Sequence, residues 1–191
     1  MTYFMGTKST FLAKSVSNDS SQARFYQVTV EETDPPYAGA RLKKVEKGAL
    51  MYGPKQLLLR PNESKWLKLY YQGPADNQPR FYRVTFHERP GYVKAYQGAG
   101  FSGSASLSTI LVVQPRQAQQ AYVIENNVLK NTGNTAYLAY VEGVCTDTSK
   151  TEPCIAERYL APGGEMRVGS VSLSGAKLFL SNELTVEQML Q

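Results

Sequence analysis

Between a Ser/Gly-rich lead-in and Pro115, the chain runs from Ser106 to Arg116 as SLSTILVVQPR, its longest apolar stretch. Leu107, Ile110, Leu111, Val112 and Val113 are aliphatic or β-favouring, and the run is too short to span a membrane. It predicts a strand. Just upstream, Phe101, Ala105 and Leu107 share one parity while Ser or Gly fills the other. The two-residue period of a strand turns those three side chains to one face. Two outcomes are open. The stretch is a buried central strand, or only its second half is buried and the first half is an exposed edge that another chain can use. Periodicity does not separate them.

The same grammar holds elsewhere. Short segments rich in Thr, Val and Tyr are cut by Gly, Pro, Asn and Asp, and 13 tyrosines make the strand-forming bias strong. The expected fold class is all-β. A hydrophobic share of 42% against 19% charged residues excludes a disordered chain and does not fit a membrane protein. With 191 residues the chain can bury one large core or two small ones, and since β-sandwich domains often run to about 100 residues, two are expected.

In chain order, a Ser/Thr-rich segment ends in a hairpin-like reversal at Ser17-Asn-Asp-Ser-Ser21. Arg24, Tyr26, Val28 and Val30 then alternate as a half-buried strand. Residues 41–47 read as a loop, and 55–60 with 65–71 read as a hairpin. In the strand from Arg80 to Pro90, Tyr82, Val84 and Phe86 form the apolar face, and Glu88 falls on that face at the strand's end. A carboxylate there must find a cation, a donor or water. Gly91 to Gly103 reads as a loop. The polar joint after Pro115 sets the expected domains at 1–116 and 117–191. In the second, strands are expected at Tyr122–Glu125, Thr135–Val144, Glu157–Leu160, Met166–Val171 and Lys177–Leu180, with turns at 131–134 and 161–164.

Signs of catalysis are thin. The formal charge of +5 comes from scattered Lys and Arg, which read as solvated surface. Lys65-Trp-Leu-Lys-Leu-Tyr-Tyr71 interleaves bases and aromatics, but period two puts Leu67, Leu69 and Tyr71 on one face, so an ordinary half-buried strand is expected and no nucleic-acid partner. The single histidine, His87, lies opposite the Tyr82/Val84/Phe86 face and reads as a surface imidazole rather than part of a triad. Gly98-Ala-Gly100 lacks the third glycine, the strand and the helix of a dinucleotide fingerprint. No catalytic residue, cofactor or metal site is expected, and the chain does not read as an enzyme. Cys145 and Cys154 flank the polar segment TDTSKTEP. They form either a disulfide, which places the chain in an oxidising compartment, or two free thiols. The first residues carry no charged-then-apolar leader, so the chain reads as a mature or trimmed form.

Three segments together, TILVVQPRQ at 109–117, GPADNQPRFYRVTF at 73–86 and NTGNTAYLAY at 131–140, resemble periplasmic pilus-assembly chaperones, most nearly those of the common-pilus type in the alternate chaperone-usher branch. The resemblance covers most of the chain from about Lys14 to Leu180. It implies two immunoglobulin-like β-sandwiches at an angle with a cleft between them. It also implies a chaperone in the periplasm that lends a strand to pilin and tip-adhesin subunits and passes them to an outer-membrane usher. On that reading Phe101, Ala105, Leu107, Thr109, Ile110 and Val112 form the donor strand, with Ile110 and Val112 either anchored in the chain's own core or extending the donor row. Better-known members bind the subunit's terminal carboxylate with two basic residues, but here Ile110 stands at the donor-strand lysine position. Arg116 becomes the leading anchor candidate, with Lys8 and Lys14 as helpers. Glu88, in HERP, matches the family's Glu-x-Pro glutamate and is expected to pair with Arg116. The alternative is a structural pilus subunit or another immunoglobulin-like binding module. Self-association of the free state stays open.

Overall fold

The computed structural model describes residues 2–37, 39–89 and 105–182, and the backbone of 186–189. Phe101, the expected loop at 91–103 and Gly98-Ala-Gly100 lie outside the described residues. Sixteen strands occur among those described: β1 (Thr2–Met5), β2 (Phe11–Ser17), β3 (Arg24–Thr33), β4 (Leu42–Lys44), β5 (Leu50–Gly53), β6 (Gln56–Leu59), β7 (Ser64–Tyr71), β8 (Arg80–Glu88), β9 (Ser106–Val113), β10 (Tyr122–Glu125), β11 (Val128–Asn131), β12 (Tyr137–Gly143), β13 (Cys154–Leu160), β14 (Glu165–Arg167), β15 (Lys177–Ser181) and β16 (Val186–Met189). The chain is all-β, and it divides into two compact units, Met1–Pro74 with Arg80–Val113, and Ala75–Pro79 with Gln114–Gln191.

The first unit is a two-sheet sandwich. One sheet has the order β1-β9-β8-β3-β4, with β6 also pairing β3, and the other has the order β2-β7-β5. Alternation dictates what meets between them. Leu67, Leu69 and Tyr71 of β7 turn inward against Val28, Leu57, Val84, Phe86 and Leu111 of the facing sheet, all buried in one cluster. Trp66 and Tyr70, on the other parity, stay outside, and Phe11 stacks on Tyr70 with ring centroids 4.7 Å apart.

Two local expectations fail here, for one reason. Segments 55–60 and 65–71 are not a hairpin, because β6 pairs β3 while β7 pairs β2 and β5. Likewise β2 and β3, on either side of the reversal at 17–21, lie in opposite sheets. In both places the chain crosses the core instead of folding back beside itself, since each flanking strand has an apolar face that a facing sheet covers better than a neighbour does. Asn18 holds the two crossings together. Its buried side-chain amide donates to the carbonyls of Gln22 (2.8 Å), Leu59 (3.1 Å) and Arg60 (3.1 Å). Its backbone carbonyl accepts from Asn62, which sits at φ 57° in the turn before β7. Residues 42–44, expected in a loop, form the short exposed edge strand β4.

The second unit has sheets β10-β11-β14 and β13-β12-β15-β16 around a core that includes Leu129, Tyr137, Val141, Leu160, Met166 and Leu178. The unit takes up the chain at Gln114, whose buried amide exchanges bonds with Ala136: Nε2 donates to its carbonyl (2.7 Å) and Oε1 accepts from its N–H (3.2 Å). Strand β11 was not expected from sequence. It follows β10 through Asn126 and Asn127, both at positive φ (50° and 58°), the backbone of a tight two-residue hairpin turn. In the NTGN turn, Gly133 packs so closely that an added Cβ would sit 2.1 Å from the carbonyl oxygen of Gln119. Cys145 and Cys154 are joined as a disulfide, beside the pairing of Gly143 with Cys154 at the loop end of the β12–β13 hairpin.

Candidate functional site

Strand β9 has two halves with different neighbours. Along its whole length it pairs antiparallel with β8, from Arg80↔Val113 to His87↔Ser106, without a bulge. On its other side β1 runs parallel, but only from Thr2↔Ile110 to Met5↔Val113. Among the described residues, nothing pairs with that side over Ser106–Ser108.

The ladder's alternation says which groups that vacant side presents. The N–H of Glu88 donates to the carbonyl of Ala105 (2.8 Å), so that pair is a hydrogen-bonded one. Antiparallel pairs alternate, hence Leu107 and Thr109 point their backbone groups at β8, while Ser106 and Ser108 point theirs the other way. The same parity continues into Ile110 and Val112, which face β1. Ser106 and Ser108 therefore offer two N–H and two C=O groups in line with a ladder already begun.

Side chains on the inner row change character over three steps. Leu107 is 70% exposed, Thr109 5%, Leu111 0% and Val113 2%. Leu111 and Val113 belong to the sandwich core, whereas Leu107 and the exposed Ala105 extend the same row beyond it. This settles how the aliphatic run continues. Without a bulge, the row begun by Ala105 and Leu107 passes into the core through Thr109, Leu111 and Val113. Ile110 and Val112 point to the opposite face, where Val112 is buried beside its ladder partners Phe4 and Phe81.

The charged candidates fall in different places. Glu88 ends β8 on the inner row, as its parity requires, and its carboxylate is met by the guanidinium of Arg24 on β3. Tyr26 is the ladder partner of Glu88, so Arg24 lies one diagonal step away on the same face. The bond to Glu88 holds the Arg24 guanidinium above its ordinary pKa, and the Tyr26 phenol is raised too, chiefly by burial and then by the Glu88 charge. Lys14, on β2 opposite Leu67, is inward-facing and half-buried, with Nζ 5.3 Å from the centre of the Tyr3 ring. Burial raises the Tyr3 phenol. Among the described residues no carboxylate pairs with Lys14. Lys8 is exposed in the turn after β1. Arg116 belongs to the second unit, where its N–H donates to the carbonyl of Asp76 (3.0 Å).

Sequence reasoning missed the partners on β9's outer face. Ser106 Oγ lies 3.0 Å from His87 Nδ1, and Ser108 Oγ 3.0 Å from Thr85 Oγ1. Both are cross-strand pairs of the closer, non-hydrogen-bonded kind, where side chains come nearest. A Thr-x-His segment facing a Ser-x-Ser segment was the available signal. Among the described residues there is no group of three or more His, Cys, Asp or Glu that could hold a metal.

The family model of the EcpB C-terminal domain matches residues 120–183. A probable fimbrial chaperone, EcpE, of Escherichia coli O18:K1:H7 is 32% identical over 170 residues, covering 85% of this chain and 71% of its own. Among solved structures, the Pseudomonas aeruginosa CupB2 chaperone superposes with a TM-score of 0.63 at 13% identity, covering 100% of this chain and 97% of its own. A chain from the complex of Salmonella enterica SafA pilin with the SafB chaperone gives 0.60 at 15% identity, covering 99% and 93%. Two immunoglobulin-like units, a last first-domain strand partnered on one flank only over its opening residues, and a relative of this similarity lead to one conclusion: the chain belongs to the fimbrial chaperones, proteins that serve pilus assembly.

Proposed function

We propose that this chaperone captures pilin and tip-adhesin subunits in the periplasm by lending them β9, and that it hands them to an outer-membrane usher. One observation carries the reading: among the described residues nothing pairs with the second side of Ser106–Ser108, which is collinear with the β1 pairing and borders an exposed leucine. A subunit strand laid there continues an existing ladder. The four backbone groups of Ser106 and Ser108 contribute about 0.5–1.5 kcal/mol per bond formed, so the ladder supplies most of the affinity. Leu107, entering the subunit's groove with the smaller Ala105 beside it, sets the register. Thr109 is already enclosed by the chain's own domain and marks the inner limit of the donated row.

For the subunit's terminal carboxylate, Lys14 is the best-supported anchor. It is a half-buried cation on an inward-facing position, held against an aromatic ring, with no carboxylate partner among the described residues. Co-expression with a cognate pilin tests the whole reading. The wild type is expected to yield a one-to-one complex and Leu107→Glu none. A Leu107→Glu protein that still rescues its pilin refutes strand donation.

A further inference from the structure

The half of β9 that reaches beyond the core has little apolar packing of its own. Leu107 and Ala105 are solvated, and only β8 flanks Ser106–Ser108 among the described residues. A strand so weakly held would fray, and a frayed strand is a poor template. On the outer face, however, His87 spans three strands. Its Nδ1 lies 3.0 Å from Ser106 Oγ on β9, and its Nε2 lies 3.1 Å from Thr29 Oγ1 on β3. Thr29 sits in the middle of β3, itself paired on β8 through Thr29↔Thr85. The imidazole thus ties the tip of the free half-strand, across β8, to the interior of the sheet.

We propose that His87 is a positioning residue for strand donation. It holds Ser106 so that the residue's N–H and C=O stay aimed at the vacant side, and Thr29 fixes the ring's orientation. The chemistry suits the task. In the neutral ring one nitrogen donates and the other accepts, and a hydroxyl on each side can rotate to match either tautomer. A ring flanked by two hydroxyls needs no fixed charge to serve as the tie. His87 acts through Ser106 and does not itself touch the subunit. The inference rests on the strand-donation reading, and its test separates the two.

The measurement is amide hydrogen exchange on the free protein, paired with subunit binding kinetics. In His87→Ala, exchange at Leu107 and Thr109, whose N–H groups bond to β8, is expected to speed up about two- to tenfold, the range set by loss of one side-chain hydrogen bond. Leu111, Val113 and the second unit stay unchanged. Ser106→Ala is expected to reproduce the effect, and the double variant to add nothing. His87→Asn, which keeps a donor and an acceptor, recovers part of it. The association rate with a pilin should fall by a similar factor while dissociation of the formed complex is unaltered, because the bound subunit then holds the strand. Unchanged exchange at Leu107 and Thr109 in both single variants overturns the inference, as does faster exchange with an unchanged association rate. If instead Leu107→Glu captures pilin normally, strand donation itself fails, whatever His87 does.

Discussion

Leu107 and Leu111 offer a paired perturbation on one strand. They are the same residue type, on the same face of β9, four positions apart, and yet one is 70% exposed and the other fully buried. Leu111→Ala empties a site in the sandwich core and is expected to lower the stability of the first unit by about 2–5 kcal/mol. Leu107→Ala removes little that is packed in the free protein and should shift stability by no more than about 0.5 kcal/mol. Binding reverses the order. Full burial of a leucine is worth about 1.5–3 kcal/mol, and Leu107 has 70% of its surface left to bury, so its truncation should weaken subunit capture by about 1–2 kcal/mol, or about 5- to 30-fold in Kd. Denaturant unfolding followed by pilin titration of each variant decides the matter. The reasoning is refuted if Leu107→Ala destabilises the free chain as much as Leu111→Ala, or if it leaves pilin affinity at the wild-type value.

Asn18→Ala leaves the carbonyls of Gln22, Leu59 and Arg60 without their shared donor and should cost about 1–3 kcal/mol in thermal or urea unfolding, more if the buried carbonyl of Leu59 finds no water. Reducing Cys145–Cys154, which closes a loop with a sequence separation of 9, should lower the stability of the second unit by about 2–3 kcal/mol, seen by comparing melts with and without reductant. The Glu63 carboxylate accepts from the Arg60 N–H (2.7 Å) and lies 3.4 Å from Lys65, and the backbone bond first of all holds it below the ordinary carboxylate range. Its contribution to stability is therefore full above that ordinary range and is lost as pH falls through the lower folded value. A carboxyl NMR titration with a midpoint at or above the unperturbed value would contradict this. Trp66, the sole tryptophan, is 59% exposed, so its fluorescence should be quenched by acrylamide nearly as strongly in the native protein as in the unfolded one.

Much of this arrangement was legible in the residues, and the parts that were not share a cause. Alternation within a strand reports which side chains are inside, so Leu67, Leu69 and Tyr71, the inward parity of Glu88 and the apolar end of β9 could all be read directly. Alternation is silent about which strand lies alongside. That is why 55–60 and 65–71 read as neighbours when they face each other across a core, and why Arg24, remote in sequence, was not seen as the partner of Glu88. Strand β11 is a case where a local signal existed: Glu125-Asn-Asn-Val128 has turn residues suited to left-handed backbone between two short apolar segments. The continuation of the row begun by Ala105 and Leu107 was ambiguous for a different reason, since an aliphatic residue at every position from Ile110 to Val113 erases the parity signal. Only the unbroken β8 register shows that Leu111 and Val113, and not Ile110 and Val112, complete the row.

The short parallel partnership of β1 with β9 has one more effect. It occupies the same flank that a visiting strand would use, beginning at Ile110. A polypeptide that hydrogen-bonds to Ser106 and Ser108 and extends toward Pro115 would meet β1, which holds that flank from Ile110 to Val113. If β9 is lent to a subunit, the first strand would thus act as a doorstop, measuring out how much of β9 is on loan.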